Sequence, residues 1–211
     1  MRIFKLKKSK PSGPGKLLII EGLNTELIKE QVSFLDGILS VSGLRVQPLK
    51  ILEPGQLFSV QMAAAFKESP YAEAVGGLSV LLAQSSPIKI AQSGGITITG
   101  GNYCIGLGAK IARSMIDPRE RASFYRWLAQ LGYVHLNLPR PDLNVVLLDA
   151  SSANTVGAEE YTFLELASLL PNTQIVFCQD ENKVNLPPQA IHNRIWDLTR
   201  RLVINTRVKN E

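Results

Sequence analysis

A loop that grips phosphate needs glycines that let the backbone curl, a lysine that reaches the outer phosphates and a hydroxyl that holds magnesium, in the order G-x-x-x-x-G-K-[ST]. Gly22 stands where such a loop would begin, directly after the apolar run Leu17 to Glu21. The later positions carry Leu27, Ile28 and Lys29 in place of glycine, lysine and the hydroxyl. Leu27 brings a branched side chain to a place where glycine would let the backbone approach phosphate, while Ile28 falls on an apolar stripe with Val32 and Leu35. Glu26 adds negative charge that offsets the attraction of a helix N-terminus for anions. Lys29 is one position from the required lysine, but a helix turns ~100° per residue, so its ammonium is expected to point elsewhere.

Other reactive residue types are sparse. His135 and His192 lie far apart, without the carboxylate or cysteine spacing of a metal site or a catalytic triad, and read as surface or structural residues. Cys104 and Cys178 read as ordinary buried thiols. Asp142 is expected to fix a turn and Asp149 to end a strand, and Phe124 and Trp127 suit the packed face of a helix. Glu53, at the carboxyl end of a strand, is left open between a binding role and a helix cap.

The elements that must position these residues alternate. Strands are expected at Leu17 to Glu21, Leu44 to Leu52, Gly95 to Thr99, Asn144 to Asp149 and Gln174 to Cys178. Pro48 assigns the second strand to a sheet edge, because proline cannot donate to a ladder. The first helix carries Ile28, Val32, Leu35 and Leu39 and stops near Gly43. Leu57 to Gln84 reads as two helices, broken at Ser69 and Pro70, with a soft spot at Gly76 and Gly77. Further helices are expected from about Ile105 to Met115, from Pro118, from Glu159 to Leu170, and from Pro187 to about Val203. Strands separated throughout by helices imply right-handed crossovers and an α/β fold, a parallel sheet covered on both faces.

Composition bounds the rest. The 211 residues are 45% hydrophobic and 19% charged, enough for one core and too little charge for a disordered polyelectrolyte. No apolar run approaches the ~20 residues of a membrane helix, and two cysteines exclude a disulfide framework. A soluble, cytoplasmic protein is expected. Of the 23 Lys and Arg residues, six (Arg2, Lys5, Lys7, Lys8, Lys10 and Lys16) lie in the first 16 positions, where there is no acid, which leaves 17 bases against 18 acids in the body. The net +5 therefore belongs to a basic tail, residues 1–15 with the adjoining Lys16, ahead of a single domain, 16–211. Such a tail is expected to be mobile, or to dock on nucleic acid or an acidic partner.

Four stretches occur in the order and at the spacing found in thymidylate kinases: GKLLIIEGLN from Gly15, the turn Glu53-Pro54-Gly55, the segment at Tyr103, and LPRPDLNVVLLD from Leu138 to Asp149. The sequence resembles that family over roughly residues 15 to 205. The resemblance implies a P-loop nucleoside-monophosphate kinase fold, three layers α/β/α around a five-stranded parallel sheet, in which members move the γ-phosphate of ATP to dTMP with Mg²⁺, as homodimers. It also implies cations that this chain lacks. Leu52 stands where arginine should precede Glu-Pro-Gly, Gly101-Asn102-Tyr103 stands for Asp-Arg-Tyr, the helix Leu78 to Gln84 has no cation, and the lid SSANTVGA has none either. Phosphoryl transfer depends on placed positive charge, so the expectation is a degenerate member that acts by binding, as a scaffold or regulatory subunit, with no cofactor. The nucleotide-site remnant would be Gly22, Asn24, Lys29, Glu53, Gln84, Asn102 and Tyr103, able to hold a nucleotide weakly. The alternative is an active, divergent kinase using ATP and Mg²⁺, with Lys29, Lys110 and Arg113 replacing the lost set. A third reading makes the tail an adaptor for nucleic acid or an acidic protein.

Overall fold

The computed structural model describes residues 15–41, 46–50, 58–93, 95–101, 103–148 and 158–207. Strand β1 (Lys16–Gly22) leads into α1 (Thr25–Val41), then β2 (Val46–Lys50), α2 (Val60–Ala65), a 3₁₀ turn (Phe66–Glu68) and α3 (Pro70–Ser93). Next come β3 (Ile96–Gly100), α4 (Cys104–Ala112), α5 (Pro118–Gln130), a π-helical turn (Leu131–His135) and β4 (Leu143–Leu148). The chain then forms α6 (Ala158–Ala167), β5 (Thr173–Phe177) and α7 (Pro188–Arg207). The five strands are all parallel, in the order β2-β3-β1-β4-β5, so the strand bearing Pro48 is an edge, as its proline requires.

The pleat divides the core in two. Leu17 and Ile19 face α3, α4, α5 and α6, whereas Leu18 and Ile20 face α1 and α7. Both faces of β1 and β4 are buried, which explains why their sequences read as continuous apolar runs. The turn into β4 is held by Asp142, whose carboxylate accepts from Lys16 Nζ at 2.7 Å and from the Leu17 amide at 2.9 Å. Asp117 caps α5 by accepting from the Arg119 amide, with Pro118 in the first turn.

One expectation needs correction. The soft spot at Gly76 and Gly77 is absent, because α3 runs unbroken to Ser93. A Cβ at Gly76 would come within 2.7 Å of the Phe66 ring, and one at Gly77 within 2.5 Å of Leu107, so these glycines serve close packing. The helix after Pro118 also has a feature that its sequence does not announce, the π turn that places Gly132 and Tyr133 in the core.

Arg121 on α5 grips Glu165 on α6 through two hydrogen bonds of 2.8 and 3.0 Å, and also donates to the Met115 and Ile116 carbonyls. Arg121→Met strands Glu165 and both carbonyls, and is expected to cost about 2 kcal/mol. The check is a lower urea midpoint with an unchanged slope; a loss below ~0.5 kcal/mol would place this pair with ordinary surface ion pairs.

Candidate functional site

Ligands of open parallel sheets bind at the carboxyl ends of the strands, where β1 meets α1 and β3 meets α4. Only Leu23 and Asn24 separate β1 from α1. The Asn24 side chain accepts from the Leu27 amide at 3.0 Å and its carbonyl accepts from the Ile28 amide at 3.0 Å, so two amides of the first turn are satisfied by the chain itself. Ile28 points inward, 4% exposed, against Gly100 of β3, where an added Cβ would lie 2.5 Å from Ile28 Cγ2. Lys29 is exposed and pairs with Glu26 at 2.6 Å. Gly22 lies against β4, and a Cβ there would lie 2.6 Å from the Leu147 carbonyl oxygen.

On the other side of this end lies a group that the sequence reading passed over. Glu21, the last side chain of β1 before Gly22, is 0% exposed. Its carboxyl accepts from the Gly106 amide at 2.7 Å and from Asn144 Nδ2 at 2.7 Å, and the Tyr103 and Ile105 amides also face it. A side chain of the sheet thus occupies the N-terminus of α4, whose N-cap residue Tyr103 makes no side-chain cap. Burial raises the Glu21 pKa from its ordinary 4.5 to about 7, against the opposing pull of these donors. Tyr103, Cys104 and Tyr125 lie near it, with Tyr133 beside Cys104, and burial holds each in its neutral form, with the Cys104 thiol pushed up to about 12.

No family model and no curated protein matches the chain. Among solved structures, the thymidylate kinase of Candida albicans matches 94% of this chain and 94% of its own, with a TM-score of 0.60 and 18% sequence identity. The fold is that of a thymidylate kinase.

Within this thymidylate-kinase fold the expected residues separate. Gly22, Asn24 and Lys29 gather where β1 enters α1, whereas Gln84 sits half-buried on α3. Tyr103 stands at the end of β3 but is fully buried, its hydroxyl donating to the Pro139 carbonyl at 2.6 Å, so it presents no open face to a base. Glu53, Asn102 and Asp149, together with Leu52 and the lid segment 151–157, lie outside the described residues. His135 is exposed and His192 is buried between α7 and α1, its ring 5.2 Å from that of Phe34, where burial lowers its pKa. Both cysteines are buried thiols outside any disulfide. Among the described residues no His, Cys, Asp and Glu cluster could hold a metal ion, and no helix is long and apolar enough to cross a membrane. Asn144 and Glu21 were detectable as the polar members of two otherwise apolar strands, but their meeting with α4 was not.

Proposed function

We propose that this protein acts by binding, as a scaffold or regulatory subunit built on the thymidylate-kinase fold, and does not transfer phosphate. The observation that carries this reading is the two-residue connection between β1 and α1, closed by Asn24. A triphosphate cradle needs free backbone amides in a glycine-bounded loop ahead of the helix; here α1 begins three residues after Gly22 and the Leu27 and Ile28 amides of its first turn are already taken by Asn24. The lysine position holds a core isoleucine, and Lys29 is engaged with Glu26. These residues do not fit ATP with Mg²⁺, and no cofactor enters the proposal.

The binding surface we assign is the outer face of α3. Tyr71, Val75 and Leu82 fall in one narrow sector of the helix and are 45%, 42% and 41% exposed, whereas Ala74, Leu78, Leu81 and Ile88 are buried. A second copy of the chain is the occupant that the thymidylate-kinase resemblance implies.

The test is calorimetric titration of full-length protein with ATP plus Mg²⁺ and, separately, with dTMP, beside a phosphotransfer assay. The expected result is no ATP heat at millimolar concentration and transfer at least about 10³-fold below that of an enzyme with its full set of phosphate-binding cations. Saturable ATP binding that weakens in Lys29→Ala or Arg113→Ala would replace this reading with that of a divergent kinase. Salt-sensitive capture of nucleic acid that disappears on deleting residues 1–15 would move the function to the tail.

A further inference from the structure

An edge strand presents a row of unpaired backbone groups that invites another strand. At one edge of this sheet β2 carries a defence, because Pro48 removes a donor. The other edge, β5, reads Thr-Gln-Ile-Val-Phe, with no proline, no charge and an unbroken register against β4. The ladder shows which of its groups are left over. The Asn144 amide donates to the Asn172 carbonyl and the Cys178 amide to the Leu148 carbonyl, so alternate residues from Asn172 to Cys178 turn their backbone groups toward β4. Thr173, Ile175 and Phe177 therefore turn theirs outward, where Arg194 fills one position by donating to the Phe177 carbonyl at 2.8 Å. The Ile175 amide and carbonyl and the Phe177 amide have no partner among the described residues. The Phe177 side chain is 56% exposed, on the face of the sheet that α6 covers.

A segment of the same chain, outside the described residues, fits this edge. Phe4-Lys5-Leu6-Lys7 alternates apolar and charged residues with the period of a strand, and Pro11 and Pro14 mark where such a strand must stop. The segment leads to the amino end of β1, so beside β5 it would run antiparallel, the usual direction of an added edge on a parallel sheet. With Leu6 opposite Ile175 and Phe4 opposite Phe177, both apolar side chains share the face of Phe177, while Lys5 and Lys7 take the other. The sheet would then end in a lysine-rich strand, a common protection of outer edges. Reach is sufficient. Thr173 is level with Asn144 and through it with Ile19, three positions beyond Lys16. A strand outside β5 lies three strand spacings from β1, so the place opposite Thr173 is about 18 Å from Lys16. Between Lys8 and Lys16 the chain has eight residue steps, about 25 Å when extended.

We propose that residues 4–8 add to β5 as an antiparallel sixth strand. Tethering gives the segment an effective concentration on the order of millimolar at this edge, ahead of any free partner. The basic tail is then part of the fold rather than a free arm for nucleic acid, and a partner that pairs with β5 must first displace it. The added strand also carries Arg2 toward the carboxyl ends of the strands, the end of the sheet where ligands bind.

Hydrogen exchange of the full chain tests the pairing, with the Gln174 and Val176 amides, which bond to β4, as internal controls for folding. The Ile175 and Phe177 amides are expected to exchange at least about tenfold below their intrinsic rates, independently of protein concentration. Deleting residues 1–8 should return both to near their intrinsic rates while Gln174 and Val176 stay protected. Leu6→Pro, which removes a ladder donor without changing charge, should expose Ile175 in the same way. Exchange at intrinsic rates in the full chain, or protection that survives either change, overturns the proposal. Protection that rises with protein concentration overturns it too, and assigns the edge to a second copy. None of these outcomes depends on whether the chain binds ATP.

Discussion

Gly22→Ala should destabilise the protein by about 3 kcal/mol, while the same substitution at Gly37 should stabilise it by about 0.5–1 kcal/mol. Gly22 faces Leu147 of β4, and the atom a Cβ would meet, at 2.6 Å, is a backbone oxygen that cannot rotate away. Relief requires β1 and β4 to separate at the centre of the sheet, where each strand also pairs with another neighbour. Gly37 lies exposed within α1, and a Cβ there would have nothing within 4 Å, so alanine there only reduces the freedom of the unfolded chain and favours the helix. Paired urea melts measure the difference. The pair also separates two reasons for having glycine at the end of β1. A glycine kept for phosphate would tolerate alanine structurally and lose nucleotide binding, whereas a glycine kept for strand packing loses stability with no nucleotide binding to lose. Equal stabilities for the two variants would remove the packing account.

The same contrast shows how far single residues could be read before their neighbours were known. The five strands, the edge position of the Pro48 strand and the start of α5 at Pro118 depend on local rules: apolar runs buried on both faces, a missing donor, a fixed φ at a first turn. Those rules act within a few residues, so they were legible. Gly76 and Gly77 obey a different constraint. Their role depends on Phe66 and on Leu107, the latter 30 positions away, and a propensity for turns says nothing about either. Glu21 is the extreme case. Its partners are 85 and 123 residues further along the chain, and at the end of LLIIE it reads as the polar residue that closes a strand. One clue was present: a charged residue and an asparagine inside strands buried on both faces require partners, and naming that requirement would have flagged Glu21 and Asn144 together. Gly22, Asn24 and Lys29 lie at the end of β1 and the start of α1, and their contacts there are those of a strand contact, a helix cap and a surface ion pair.

At the position where the resemblance expects a lysine, Ile28→Lys is expected to cost about 4 kcal/mol and leave phosphotransfer at background. Ile28 is 4% exposed and its Cγ2 fills the space left by Gly100, within the core formed by Leu35, Leu39 and Ile98. A lysine there has no carboxylate among these neighbours, so it must either surrender its proton or draw water into the seam between α1 and β3. Either route also sacrifices the apolar packing of the isoleucine. Even a tolerated ammonium would face a helix start capped by Asn24, beside Glu26, without the amide cradle that must bind the β-phosphate before a lysine can assist its departure. Denaturation of Ile28→Lys, read beside an ATP-dependent dTMP assay, tests both halves. A variant as stable as the wild type that phosphorylates dTMP would mean that β1 and α1 can still open into a phosphate loop, and the binding-only function would have to be withdrawn. A variant that melts earlier and remains inactive would indicate that position 28 now belongs to the core, so that recovering catalysis would require rebuilding the whole connection from Gly22 to Lys29.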